Sequence, residues 1–173
     1  MSRLRKFIGL WLTLLEFGIV FPVTFYLMSR LLDTVFDLSP FINPQTGALI
    51  AAFLLFIGIF WVSWGYSYIH FEGRGTPIEA FGKALYPTSK LVTTGPYAYV
   101  RNPMLLGQMF ILLAIAFYTG SLSGLILIPI LTLIALAYIR MYEEPELVRR
   151  FGDKYVQYRK SVPAIIPRLK RPA

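Results

Sequence analysis

Two short runs of this chain carry the residue types that do chemistry. The first is Tyr97-Ala98-Tyr99-Val100-Arg101-Asn102-Pro103. Asn before Pro reads as a helix N-cap followed by Pro at the first helical position. Such a helix start offers free N–H groups, and Arg101 beside it offers a planar bidentate donor. Together they suit a carboxylate or a phosphate. A plainer reading gives a capped helix entry with an interfacial Arg and Tyr belt. The second run extends from Arg140 to Tyr158. Pro145, with Glu143, Glu144 and Glu146 around it, reads as a helix start whose acids match the dipole. Leu147, Phe151, Tyr155 and Tyr158 recur on one face, which predicts an amphipathic interfacial helix. Arg149, Arg150, Lys154 and Arg159 can then meet anionic headgroups. That reading leaves two adjacent carboxylates at the boundary of a basic tail, and these suit a cationic ligand. Neighbours in a helix point about 100° apart. One of the pair can therefore hold a ligand while the other pairs with an Arg, such as Arg101 or Arg140.

The elements that must position these runs are apolar. Hydrophobic residues make up 56% of the 173 and charged residues 15%, where soluble domains carry about 25% charged. A disordered chain, a fibrous repeat and an ordinary soluble enzyme are excluded. The absence of Cys removes disulfides, thiolate nucleophiles and Cys-ligated metal sites. The reading is a single all-α integral membrane domain over 1–173. Phe7–Met28 is one span, interrupted by Glu16 and Pro22, and is too long for a signal-peptide core. Gly47–Ile69 is a second and carries no charge. Met104–Ile139 is also uncharged, and at 36 residues it would be about 54 Å as one helix, too long for a core of about 30 Å. The turn signal Thr119-Gly120-Ser121-Leu122-Ser123-Gly124 divides it into a tight hairpin, 104–118 and 125–139. Four spans put both termini on one side. All but Arg30 of the 17 Lys and Arg lie before the first span, in the 70–103 loop or in the 140–173 tail. The positive-inside rule then makes termini and loop cytoplasmic. The net charge of +8 is read as membrane surface; no nucleic-acid or metal partner is expected.

The two runs, taken together, resemble a known family. Leu91-Val-Thr-x-Gly-Pro-Tyr-x-Tyr-Val-Arg-Asn-Pro103, then Glu143-Glu144-x-x-Leu147-x-x-x-Phe151-Gly152-x-x-Tyr155-x-x-Tyr158 and Val162…Ile166-Pro167, resembles the isoprenylcysteine carboxyl methyltransferase and phospholipid methyltransferase family. Gly75-Thr76-Pro77, which bacterial members often share, extends the resemblance over about residues 74–168. It implies a membrane enzyme using S-adenosylmethionine, in a bacterial or archaeal inner membrane, with its site facing the cytoplasm. A lipophilic small molecule or lipid is the implied methyl acceptor: a carboxylate, an amine or a thiol. Tyr97, Asn102 and Pro103 match cofactor-contacting positions, with Arg101 in the same motif. Leu91 and Val92 match the stretch that lines the cofactor, and Glu143 matches the acidic contact. Arg140 and Glu144 are the candidate catalytic residues, although Arg140 lies one residue closer to Glu143 than the family's substrate-side Arg. Eukaryotic carboxyl methyltransferases have His where Asn102 and Ser89 stand, and Tyr where Leu105 stands. Substrate identity is therefore not carried over.

Two further residues are ionisable beside or inside spans. His70, the only His, ends the second span and reads as interfacial. Glu16, near the middle of the first span, would cost about 2.5–3.5 kcal/mol on insertion scales. It could wall a substrate pocket, hydrogen-bond a neighbouring helix, or serve a small proton-coupled exporter of lipophilic cations. That exporter is the second reading of the chain. A relative of membrane sterol reductases, using a nicotinamide cofactor, is the third.

Overall fold

The computed structural model describes residue 11 and residues 15–75, 79–80, 83–84 and 87–168. Residues Arg3, Arg5, Lys6, Thr76, Pro77, Lys170 and Arg171, used in the sequence reading, lie outside the described residues. The fold is that of an all-helical integral membrane protein. A π turn, Glu16–Val20, leads into α1, Phe21–Val35; α2 is Pro44–Phe71. A two-residue antiparallel ladder, β1 Glu79–Ala80 with β2 Lys83–Ala84, and a 3-10 turn at Gly95–Ala98 follow. Then come α3, Pro103–Thr119, and α4, Leu122–Tyr138. A second π turn, Ile139–Glu143, joins α4 to α5, Glu144–Phe151, and α6 is Asp153–Ser161. Gly18–Val35, Pro44–Phe71 and Leu122–Phe151 are each long and apolar enough to cross a membrane.

Both π turns have a local cause. Each ends two residues before a proline, Pro22 and Pro145. Proline donates no N–H and its ring collides with the carbonyl four residues back, which a wider turn relieves. Pro145 is therefore not the helix start that its acidic neighbours suggested. Leu122–Phe151 runs on as 30 helical residues, about 45 Å. Its last turns emerge beyond a core of about 30 Å, and they carry Glu143 and Glu144.

The first helix likewise outruns its expected end at Met28. It continues through Arg30 and Asp33 to Val35. Asp33 is buried because it caps another helix: its Oδ1 accepts the Ser123 N–H at 3.1 Å, while the Ser121 hydroxyl accepts from Gly124 N–H at 2.9 Å. A carboxylate there also meets the positive end of the α4 dipole. The hairpin itself is tighter than read, since only Gly120 and Ser121 separate α3 from α4.

Helices α2 and α3 run antiparallel in close contact. A Cβ on Gly107 would lie 2.7 Å from the Gly58 carbonyl oxygen, and one on Gly65 would meet Met104 and Pro103. Small residues at the crossing let the backbones touch. Leu112 and Ala116 of α3 pack instead with Phe25 of α1 and Ile128 of α4. The loop before α3 is thus held at one end of the bundle, beside the emerging turns of Leu122–Phe151.

Candidate functional site

Glu144 is the junction of the loop end. Its carboxylate is 2.8 Å from Arg101 Nη1, with the two side chains 7% and 10% exposed. Arg159 of α6 donates to the other oxygen at 3.1 Å. One buried carboxylate therefore ties the loop, the emerging helix and the tail. Of the two Arg partners expected for it, the structure supplies Arg101. Arg140 is exposed and makes no ion pair among the described residues. Arg159, read as a headgroup contact, is committed to Glu144. Arg150 donates to the Thr88 carbonyl and hydroxyl oxygens, and Arg149 pairs with Glu146.

The expected interfacial helix is broken and turned inward. Gly152, at φ 58, separates α5 from α6. Tyr155 and Tyr158 are buried with Val92, Tyr97 and Val162, against Leu91, Leu147 and Phe151. The face read as meeting lipid packs on the loop instead, because the loop supplies matching apolar side chains. Tyr158 Oη donates to the Tyr97 carbonyl at 2.8 Å, and Tyr97 Oη donates to the Gly65 carbonyl at 3.4 Å. Burial, with the Glu144 charge adding to it, pushes the Tyr155 phenol up to about 12. Burial also raises Tyr97 and Tyr158, so all three are neutral at physiological pH. The charge of the half-buried Glu143 adds to the upward shift of Tyr97 and Tyr155.

A strap completes the arrangement. Arg101 N–H donates to Pro163 O at 2.9 Å, and Asn102 N–H to Ala164 O at 3.2 Å. The Asn102 side chain does not cap α3 as expected; its Nδ2 donates to the same Ala164 oxygen at 2.9 Å. Arg168 closes the strap, its N–H on Tyr99 O and its Nε on Ala98 O. The structure thus brings Leu91, Val92, Tyr97, Arg101, Asn102, Pro103, Glu143 and Glu144 to one end of the bundle and leaves Arg140 on its surface. Sequence reasoning did not single out Tyr158, Arg159 or Arg168 for the site. Tyr158 stood in the motif, but nothing in the spacing of the two arginines distinguishes them from solvated charges.

The donor set is chemically mixed. Arg101 Nε is fully buried and has no hydrogen-bond acceptor among the described residues, so it can take a carboxylate oxygen. Glu143 can accept from an ammonium or from hydroxyls. Val92 and Tyr97 are apolar neighbours. An amino-acid zwitterion carried on an aromatic nucleoside fits such a lining. Among the described residues no group of His, Asp or Glu could hold a metal ion.

Known proteins resolve what this end of the molecule is shared with. The phospholipid methyltransferase family profile matches residues 47–154, which spans the two helices, the loop and the acidic pair. The chain belongs to this family. It is 39% identical over 77 residues to Protein-S-isoprenylcysteine O-methyltransferase of Schizosaccharomyces pombe, covering 44% of this chain and 33% of that protein. It is 30% identical over 128 residues to Methanethiol S-methyltransferase 2 of Bradyrhizobium diazoefficiens, covering 69% of this chain and 48% of that protein. The matched region thus spans between a third and a half of these relatives. No solved structure matches the chain.

The exporter reading gains nothing from either source. Glu16 is exposed and stands in the π turn that leads into α1. His70, stacked on Tyr66 at 5.8 Å, closes the loop-side end of α2.

Proposed function

We propose that this membrane protein is an S-adenosylmethionine-dependent methyltransferase acting on a lipophilic acceptor. The observation that carries this reading is the buried Arg101 Nε, which has no acceptor among the described residues, in a loop that packs Val92 and Tyr97 against the tail. When bound, the cofactor supplies an already activated methyl group. The chain's own residues then need only bind and align. Arg101 would take the cofactor carboxylate, with Glu144 and Arg159 fixing its guanidinium. Glu143 would accept from the ammonium or the ribose. Leu91, Val92 and Tyr97 would line the nucleoside, and Asn102 and Pro103 hold the loop against the strap. The acceptor arrives laterally from the bilayer, and Arg140 faces outward where its head group could meet it. Holding reactants in line is worth roughly 7–11 kcal/mol.

Glu143→Gln is the cleaner test, because it leaves the Arg101–Glu144 pair intact. A charge-assisted hydrogen bond contributes about 1.5–3 kcal/mol. Calorimetric titration of S-adenosylmethionine into detergent-solubilised protein should show affinity roughly 10- to 150-fold weaker for the variant. Equal affinity in a folded variant would remove Glu143 from the cofactor site.

The loop end is cytoplasmic in this reading, since the basic residues gather there. In a chain without Cys, Ser89→Cys in the loop should react with an impermeant maleimide only after permeabilisation. Ser39→Cys, between α1 and α2, should react in intact cells. The opposite pattern reverses the orientation.

A further inference from the structure

Gln108 is 3% exposed, and its Nε2 is fully buried without a hydrogen-bond acceptor among the described residues. It follows Pro103 by five residues in α3, about 7.5 Å along the axis. It therefore lies inside the apolar part of the bundle, below the loop. Leu112 is one turn further on the same face of α3. That residue packs with Phe25 and Ile128, so the face carrying Gln108 looks into the bundle, not out to lipid.

The polar groups at the opposite end of the bundle behave differently. Asp33 is matched by Ser123, Ser121 by Gly124, Ser29 by the Tyr26 carbonyl and Thr119 by the Ile115 carbonyl. The buried side-chain atoms left without a hydrogen-bond partner belong to Tyr66, Arg101, Gln108 and Arg168, all in the loop-end half. An unmatched buried amide donor is costly and is retained where something else supplies the acceptor. Arg101 and its neighbours face the cofactor from the loop side. Gln108 is the group that comes from the membrane side, along the route of a lipophilic acceptor.

We propose that Gln108 is a substrate-contact residue whose Nε2–H donates to a lone-pair atom in the head group of the methyl acceptor. Gln108 thereby sets how deep that head group stands below the cofactor. This assignment rests on the methyl-transfer reading above. A neutral amide donor favours an oxygen- or sulfur-centred head group over an ammonium, which has no lone pair to offer. The reading thus extends from one residue to a preference among acceptors.

The test uses full-length protein in nanodiscs with isotopically methyl-labelled S-adenosylmethionine. Dodecanoate, dodecanethiol and dodecylamine serve as acceptor probes, and labelled products are read by mass spectrometry. Wild type should methylate the acid or the thiol in preference to the amine. Gln108→Leu, which removes the donor at similar volume, should raise the KM for the preferred probe about five- to tenfold. Its cofactor affinity should be unchanged and its melting temperature equal or higher, since an unmatched polar group is gone. Gln108→Glu should shift preference toward the amine. Wild type that methylates none of the three probes overturns the methyl-transfer reading and this assignment with it. Methylation by wild type with unchanged KM in Gln108→Leu and unchanged preference in Gln108→Glu overturns the Gln108 assignment alone.

Discussion

Glu144→Gln lowers the stability of the folded protein by about 3–5 kcal/mol, the range for breaking a buried ion pair from one side. The carboxylate is 7% exposed and faces Arg101 at 2.8 Å and Arg159 at 3.1 Å. Neutralising it leaves the Arg101 guanidinium buried at 10% exposure without this countercharge. Little water reaches that charge, so most of the desolvation cost is no longer offset. The loop, α5 and α6 lose their common tie together. Thermal unfolding in detergent should show a clearly lower midpoint, and Arg101→Ala should do the same. The double variant Arg101→Met/Glu144→Leu, which removes both charges, should recover much of the loss. A wild-type midpoint for Glu144→Gln would mean that the carboxylate is not the structural junction described here. The two acidic neighbours are thus expected to separate experimentally: Glu144→Gln acts mainly on stability, and Glu143→Gln mainly on cofactor affinity.

Gly95→Ala distorts the loop that presents Arg101. Gly95 sits at φ 55, and a Cβ there would overlap the Tyr68 ring. The left-handed backbone costs a non-glycine residue about 1–2 kcal/mol, and forcing an atom into a packed position costs about 1–3 kcal/mol more. Tyr68 has little room to retreat, since its ring packs edge-on to Trp64 at 6.5 Å and Trp64 also meets Tyr99 at 6.2 Å. The expected result is a lower melting temperature together with weaker binding of S-adenosylmethionine. The overlap part of the cost should be relieved when Tyr68 is shortened. Gly95→Ala/Tyr68→Ala should therefore be less destabilised than the sum of its single variants. Strict additivity would mean that the ring is not what the new methyl group meets.

Helix type, the number of apolar segments and the hairpin could all be read from the residues. Each rests on a local property: long uncharged runs, and a Gly-Ser turn signal between two of them. The grouping of Arg101 with the acidic pair came from the resemblance, and the 2.8 Å Arg101–Glu144 pair brings the two runs together in space. The ends of the helices were less legible. The first span read as ending at Met28, yet the helix runs on through Asp33, whose charge is taken up by a second helix start at Ser121–Ser123. Pro145 read as a beginning, yet a π turn carries the helix through it. At Asp33 the deciding partner lies ninety residues away, and at Pro145 a wider turn just before the ring absorbs the clash.

The acidic pair divides along the same line. Residue type and adjacency require that Glu143 and Glu144 point different ways, because successive helical residues are about 100° apart. Which of them is buried depends on rotation of the whole Leu122–Phe151 helix against the loop. The π turn, the packing of Tyr155 and Tyr158 on Val92 and Tyr97, and the reach of Arg159 together set that rotation. The amphipathic face of the tail was visible in its spacing, but its partner was not. Periodicity specifies that a face must be covered by something apolar and does not distinguish lipid from protein. The break at Gly152 and the strap from Pro163 to Arg168 bring that face onto the loop. Contacts about sixty residues apart in the chain are made by folding, and no local pattern encodes them.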